Sequence, residues 1–197
     1  VKKIVVIQGH PARGSFGEGL AEAYARGARG AGAQVEQVAL GELDFDPVLR
    51  GGFGGEQELE PDLVAAREAI ERADHVVFEF PVWWGTLPAL LKGFIDRVFL
   101  PGWAFQNTGK ALPEGLLAGR TARVLATMDS PRIWYALKHR RAAHRALTHA
   151  TLNYVGISKV WETTAYSVRG LDAAGRQAWI ERAVALGARD AALRTRT

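Results

Sequence analysis

Five short runs of β-branched and aromatic residues alternate with longer segments of helical spacing, and this alternation constrains the chain most. Lys2 to Gln8 is a continuous apolar run that suits a central strand. Phe16 to Ala31 is rich in Ala, Leu, Glu and Arg, and Gly30 and Gly32 end it as a helix. Gln34 to Leu40 has the alternation of a less buried strand, at a sheet edge. Pro61 to Arg72 is a helix with Pro in its first turn. His75 to Phe80 is again a buried strand. Leu87 to Leu100 then places Leu87, Leu90, Leu91, Phe94, Ile95, Val98 and Phe99 at helical spacing, with Lys92, Asp96 and Arg97 between them. Thr121 to Thr127 is the fourth strand, Trp134 to Asn153 a helix, and Gly156 to Thr164 holds the last strand. Asp172 caps a final helix from Ala173 to about Arg194. The pattern is that of a parallel, doubly wound α/β sheet, for which five strands favour the order 2-1-3-4-5. The 197 residues fit one domain, 1–197.

Such a sheet binds ligands at the carboxyl ends of its strands, and two connections there carry chemistry. Pro81-Val82-Trp83-Trp84-Gly85-Thr86 sets two indoles on a tight turn after the third strand. Exposed indoles are costly, so a flat apolar partner is expected over them. The loop from Gly9 to Gly17 joins the first strand to the first helix and offers backbone amides at a positive helix end, a site for an anion. Ser15 stands where a nucleoside-triphosphate loop needs Lys, and Glu22 where a dinucleotide fingerprint needs its third Gly, so both motifs are rejected. What remains is amides, the Ser15 hydroxyl, His10 and Arg13, enough for a phosphate or pyrophosphate. The same residues would also serve as a plain turn and N-cap.

Composition removes other chemistries. The chain has no Cys, which excludes disulfides, thiolate catalysis and iron–sulfur clusters. No signal peptide is visible and no apolar run approaches the ~20 residues of a membrane span, so a cytoplasmic protein without membrane insertion is expected. The net charge of +4 is mild, with Lys138, Arg140, Arg141 and Arg145 clustered. That cluster suits a solvated helix face or the phosphates of a ligand; no nucleic-acid module accompanies it. His139, His144 and His149, five residues apart on one helix, would each turn about 140° from the last, so no metal site is expected.

From Phe80 to Phe105 the chain closely resembles the flavodoxin-like NAD(P)H:quinone oxidoreductases where they hold the isoalloxazine ring. The Pro-x-x-Trp turn, the Leu-Lys-Gly-x-x-Asp-Arg-Val helix and the Gly-Trp-Ala-Phe after it carry the likeness, with Gly9-His10-Pro11 and Ser15-Phe16. The resemblance implies a flavodoxin-like three-layer sandwich and bound FMN, with FAD as the alternative. NADH or NADPH would be the donor and a quinone or similar small molecule the acceptor, in ping-pong alternation. It assigns His10, Ser15, Phe16 and Gly17 to the flavin's phosphate arm, and Pro81, Val82, Trp83, Trp84 and Gly85 to its ring. Thr127, Met128, Asp129 and Ser130 form the remaining wall, although relatives have Thr-Thr-Gly-Gly there. Asp129 either faces the ring or turns away to cap the next helix. Trp84, Phe105 and Tyr135 are the expected pocket lining, and Tyr135 with His139 the expected proton-handling pair. A homodimer is implied, with the loops at 41–60 and 101–120 and their Phe53, Trp103 and Phe105 at the contact. A regulatory or electron-carrier flavoprotein, such as an ancillary subunit of a membrane transport system, is the alternative; a fold that has lost its cofactor is the third.

Overall fold

The computed structural model of the chain describes residues 1–109 and 113–193. Its sheet is formed by β1 (Lys3–Gln8), β2 (Gln34–Ala39), β3 (His75–Pro81), β6 (Thr121–Thr127) and β7 (Lys159–Ala165). All pairings are parallel, in the spatial order β2-β1-β3-β6-β7. Counting only these five strands, this is the order 2-1-3-4-5. β2 lies at an edge, as its half-polar alternation requires.

Alternate residues of the strands feed two cores. Ile4, Val6, Val77 and Leu125 pack beneath α1 (Phe16–Gly30) and α6 (Ala173–Ala191), with Leu20, Tyr24 and Ala183. Val5, Ile7, Phe78, Phe80 and Val124 face α2 (Pro61–Arg72) and α3 (Ala89–Val98), along with the helical stretch through Leu147 and Leu152. Helices thus cover both faces, giving three layers, and every connection leaves a carboxyl strand end on one rim.

Four expectations change. The helix expected over Trp134 to Asn153 is broken into α4 (Arg132–Leu137), α5 (Ala142–His144) and a π-helical run, Arg145–Asn153. Arg140 and Arg141 sit at φ 47° and 55°, left-handed conformations that no helix continues through. The last strand starts at Lys159, because Gly156 at φ 100° makes a turn there. The helix expected from Leu87 begins at Ala89, with Pro88 as its N-cap. Arg97 is fully buried: its guanidinium bonds Glu60 and the carbonyls of Asp46 and Glu58, and so pins the 41–60 connection. That connection includes 3₁₀ turns at Leu40–Glu42 and Gly52–Gly54. The 101–120 connection contains a short antiparallel pair, β4 (Phe105–Gln106) with β5 (Glu114–Gly115), and positions 110–112 lie outside the described residues; the last helix ends at Ala191, short of the expected Arg194, which also lies outside them. Asp172 caps α6 as expected, its carboxylate accepting from the Gly175 N–H at 2.7 Å. Among the described residues, no helix is long and apolar enough to cross a membrane.

Candidate flavin site

Three connections meet at the carboxyl rim of β1, β3 and β6. In the first, Ser15 caps α1, its hydroxyl accepting from the Glu18 N–H at 3.0 Å. Among the described residues, the N–H groups of Ser15, Phe16 and Gly17 have no protein partner, which is the unsatisfied start of a helix that an oxyanion completes. The Glu18 carboxylate already acts as such an anion for the loop: it accepts from the Gly14 N–H at 2.5 Å and lies 3.9 Å from Arg13. Arg13 also pairs with Glu42. His10 closes the loop on itself through Ala12 and packs edge-on against Trp83, 5.5 Å between ring centroids.

In the second connection, the Trp83 and Thr86 backbones bond each other in both directions, at 3.1 and 2.9 Å. Trp84 and Gly85 between them have φ 52° and 78°, the two positive values of a type I′ turn. Gly adopts this freely, but Trp does so under strain. The strained residue is the most exposed large side chain at the rim, with Trp84 99% and Trp83 42% accessible. The N–H groups of Val82 and Trp83 are spent, on Thr127 and Thr86. Those of Trp84 and Gly85 have no protein partner among the described residues, so the edge available to a polar ring starts two residues later than Val82.

The third connection is Thr127 to Pro131. Thr127 and Met128 are buried, and Met128 is fixed by backbone bonds to Ala165 and Val168. Asp129 neither faces the ring position nor caps α4. Its carboxylate accepts from the Arg169 N–H at 2.8 Å, with the Arg169 guanidinium 3.5 Å away, so it ties this loop to the turn after β7. Pro131 takes the N-cap place of α4 without a side-chain bond, and Ser130 before it is half-buried.

Behind the indole turn lies a buried polar chain that the sequence did not reveal. The Tyr135 hydroxyl meets His144 Nδ1 at 2.9 Å, and His144 Nε2 meets the Thr164 hydroxyl at 2.9 Å. Burial pushes the His144 imidazole down and the Tyr135 hydroxyl up, which keeps both neutral. His139 packs against Gly85, its ring 6.0 Å from that of Tyr135, with no hydrogen bond to it. The Gly85 carbonyl accepts from the Ala143 N–H at 3.1 Å, so the turn rests on this segment. The broken helix lets His139 and His144 flank one tyrosine, which an unbroken helix would have prevented.

Phe105 does not join Trp84 and Tyr135. It packs on Tyr154, 5.0 Å between centroids, and lines a separate apolar cavity of about 750 Å³ with Phe53, Leu87, Ile95 and Phe99. Trp103 is buried, its indole N–H bonded to Glu71, so it offers no exposed contact surface.

The residues fit a flavin mononucleotide: three free amides at a helix start for a phosphate, and two free amides beside an exposed indole for a flat polar-edged ring. Glu18 must swing off Gly14 for the phosphate to enter. Among known proteins, NAD(P)H dehydrogenase (quinone) 1 of Rattus norvegicus is 30% identical over 125 residues, 53% of this chain and 46% of that one. The chain spans about half the length of the Rattus norvegicus and Cavia porcellus NAD(P)H dehydrogenases (quinone) 1, 46% and 57%. An uncharacterized NAD(P)H oxidoreductase of Haemophilus influenzae is 28% identical over 187 residues, 90% of each chain. In fold, the chain is similar to an FMN-dependent NADH-azoreductase of Bacillus anthracis solved with FMN, at TM-score 0.76 and 20% identity, over 96% of this chain and 100% of that one. Residues 2–186 match the profile of the Flavodoxin-like fold family, over the same three connections just described, and the chain belongs to that family.

Proposed function

We propose that the protein is an FMN-dependent NAD(P)H oxidoreductase that reduces quinones or similar flat acceptors. The observation that carries this is the strained, fully exposed Trp84 beside the free amides of Trp84 and Gly85, on the same rim as the open head of α1. Bound FMN would supply the redox chemistry, hydride transfer from a nicotinamide and electron transfer to an acceptor. Ser15, Phe16 and Gly17 hold the phosphate through their N–H groups. Trp84 and Gly85 hold the polar edge of the ring, and the Trp84 indole covers apolar surface. Thr127 and Met128 close the far side.

Tyr135 and His144 form the proton-holding pair behind the turn, in place of Tyr135 and His139. Donor and acceptor use the same open face in turn, which gives ping-pong kinetics. The working form is a homodimer, which the exposed Phe53 and the apolar cavity beside it support. Size-exclusion chromatography returning only monomer would remove that part alone.

The test is an absorption spectrum of the purified protein with identification of any released flavin. Bands near ~450 nm that bleach anaerobically with NADH or NADPH and return with a quinone would support the whole reading. Reduction only through a protein partner would make the protein a carrier. Failure of added FMN and FAD to bind would overturn the proposal.

A further inference from the structure

On the α1 side of the sheet, directly under the first turn of that helix, β3 carries an acid. Glu79 is fully buried, and neither carboxyl oxygen has a hydrogen-bond partner among the described residues. Gly17 makes room for it: a Cβ there would collide with the carboxyl group. The acid lines a cleft of about 20 Å³ with Gln8, His10, Arg13, Glu18 and Glu42, room for one oxygen-sized group. A buried polar group without a partner is expensive in any fold, and this one sits where three helix-start amides are also unpaired. We infer that Glu79 is a proton gate on this anion site: with its proton the site takes a phosphate monoester, and without it the site gives the phosphate up. The inference rests on the FMN reading above and adds what controls retention of the cofactor.

The charges around Glu79 set the direction. Glu18 faces it from α1, Glu42 from the turn after β2, and His10 and Arg13 from the loop; Arg176 of α6 lies over the Phe16 ring at 5.2 Å. Burial, with the nearby Glu18 carboxylate adding to it, pushes the Glu79 carboxyl up to about 8. At neutral pH it is therefore a neutral acid with an O–H to donate, and an oxyanion is the acceptor that O–H lacks. Above that point it is a buried anion beneath the phosphate, and like charges at close range in a dry site exclude one another. By reciprocity, a bound phosphate makes Glu79 hold its proton more tightly.

The experiment titrates flavin-free protein with FMN and with riboflavin, following flavin fluorescence from about pH 6.5 to about pH 9.5, in the wild type, Glu79→Gln and Glu79→Met. Wild-type affinity for FMN should fall by about tenfold per pH unit once Glu79 ionises. Both variants should lack that fall, and riboflavin, which has no phosphate, should show no difference between wild type and variants. Equal FMN profiles in all three proteins, or a riboflavin profile that follows the FMN one, would overturn the inference. If neither flavin binds at the lowest pH, the FMN reading fails by itself, and inorganic phosphate replaces FMN with the unfolding midpoint as readout. A stabilisation that fades with rising pH in the wild type alone would then uphold the gate. Equal profiles, or no stabilisation of the wild type at any pH, would overturn it.

Discussion

Strand β3 carries a buried titratable residue at each end of one face, and the two ends are treated in opposite ways. At its amino end, His75 borders a finished Arg123–Asp190 network, although its own Nε2 makes no hydrogen bond among the described residues. Arg123 grips Asp190 through Nε and, at 2.8 Å, through Nη2, and also donates to Thr163. The Tyr24 hydroxyl donates to Asp190 at 2.9 Å, and His75 stands 3.5 Å from the same carboxylate, with its Nδ1 2.7 Å from the Thr121 hydroxyl. At its carboxyl end, Glu79 has no hydrogen-bond partner among the described residues. Burial acts on both acids in the same direction. Bonds from Arg123, with the His75 ring close by, overcome it and hold Asp190 well below the usual carboxylate range, whereas Glu79 is pushed up to about 8. A paired buried acid ties elements together, here α1, β6 and α6; an unpaired one keeps its proton instead.

Removing one partner from the finished end should cost most. Asp190→Ala leaves the Arg123 guanidinium buried without its counter-charge, and a loss of about 3 to 5 kcal/mol is expected, read as a lowered urea midpoint. The two ends should also separate by pH. Asp190 has a folded value below its unfolded one, so its stabilisation is present above the ordinary carboxylate range and is lost as pH falls through the depressed value. Glu79 has the opposite sign. Its folded value lies above the unfolded one, so stability falls as pH rises from near 4.5 to about 8 and levels off beyond. Glu79→Gln should remove that slope, about 5 kcal/mol between the two limits, in urea titrations at stepped pH. An unchanged slope in this variant would mean that Glu79 finds a partner in solution and that the two ends are alike.

The same contrast explains what could be read from the sequence. The paired, regular parts follow from local pattern: apolar runs, Pro61, Asp172 and the glycine-flanked first helix place strands, caps and layers without tertiary information. The site was legible only as far as turns and motifs carry it, to the loop 9–17 and the indole turn. Glu79 was visible as the single acid in an otherwise apolar central strand, a signal that went unused. His144 was not legible. No Gly or Pro marks the break at residues 138–141, and Arg140 and Arg141 turn left-handed in a segment tied to β7 by an Arg141–Glu162 pair. Five-residue spacing on an assumed unbroken helix bore only on a metal site and left the His144–Tyr135 contact unseen. Asp129 was similarly decided by a partner 40 residues on, Arg169.

The Tyr135–His144 pair lies between the two extremes, buried and satisfied but next to the site. Tyr135→Phe should leave His144 Nδ1 without a partner at a cost of about 1 to 2 kcal/mol, smaller than at Asp190 because no charge is stranded. His144→Ala should lower kcat more than His139→Ala does, since only His144 is bonded to the tyrosine. The reverse order would restore His139 as the partner and make the His144 bond purely structural.

The smallest effect on stability is expected at the rim itself, and its sign is the point. Trp84 is held at φ 52° with its indole in solvent, so it gives up backbone energy and gains little packing in return. Trp84→Gly should raise stability by about 1 kcal/mol, because glycine takes this conformation without a Cβ clash. The same change removes the indole proposed to cover the ring, and on that reading FMN affinity should drop by about tenfold. If binding instead held while stability rose, the indole would be idle and the strain at this turn would have no function to explain it. A variant more stable in the unfolding titration and weaker in the flavin titration would show that the carboxyl rim, unlike the Asp190 end, gives up stability to bind.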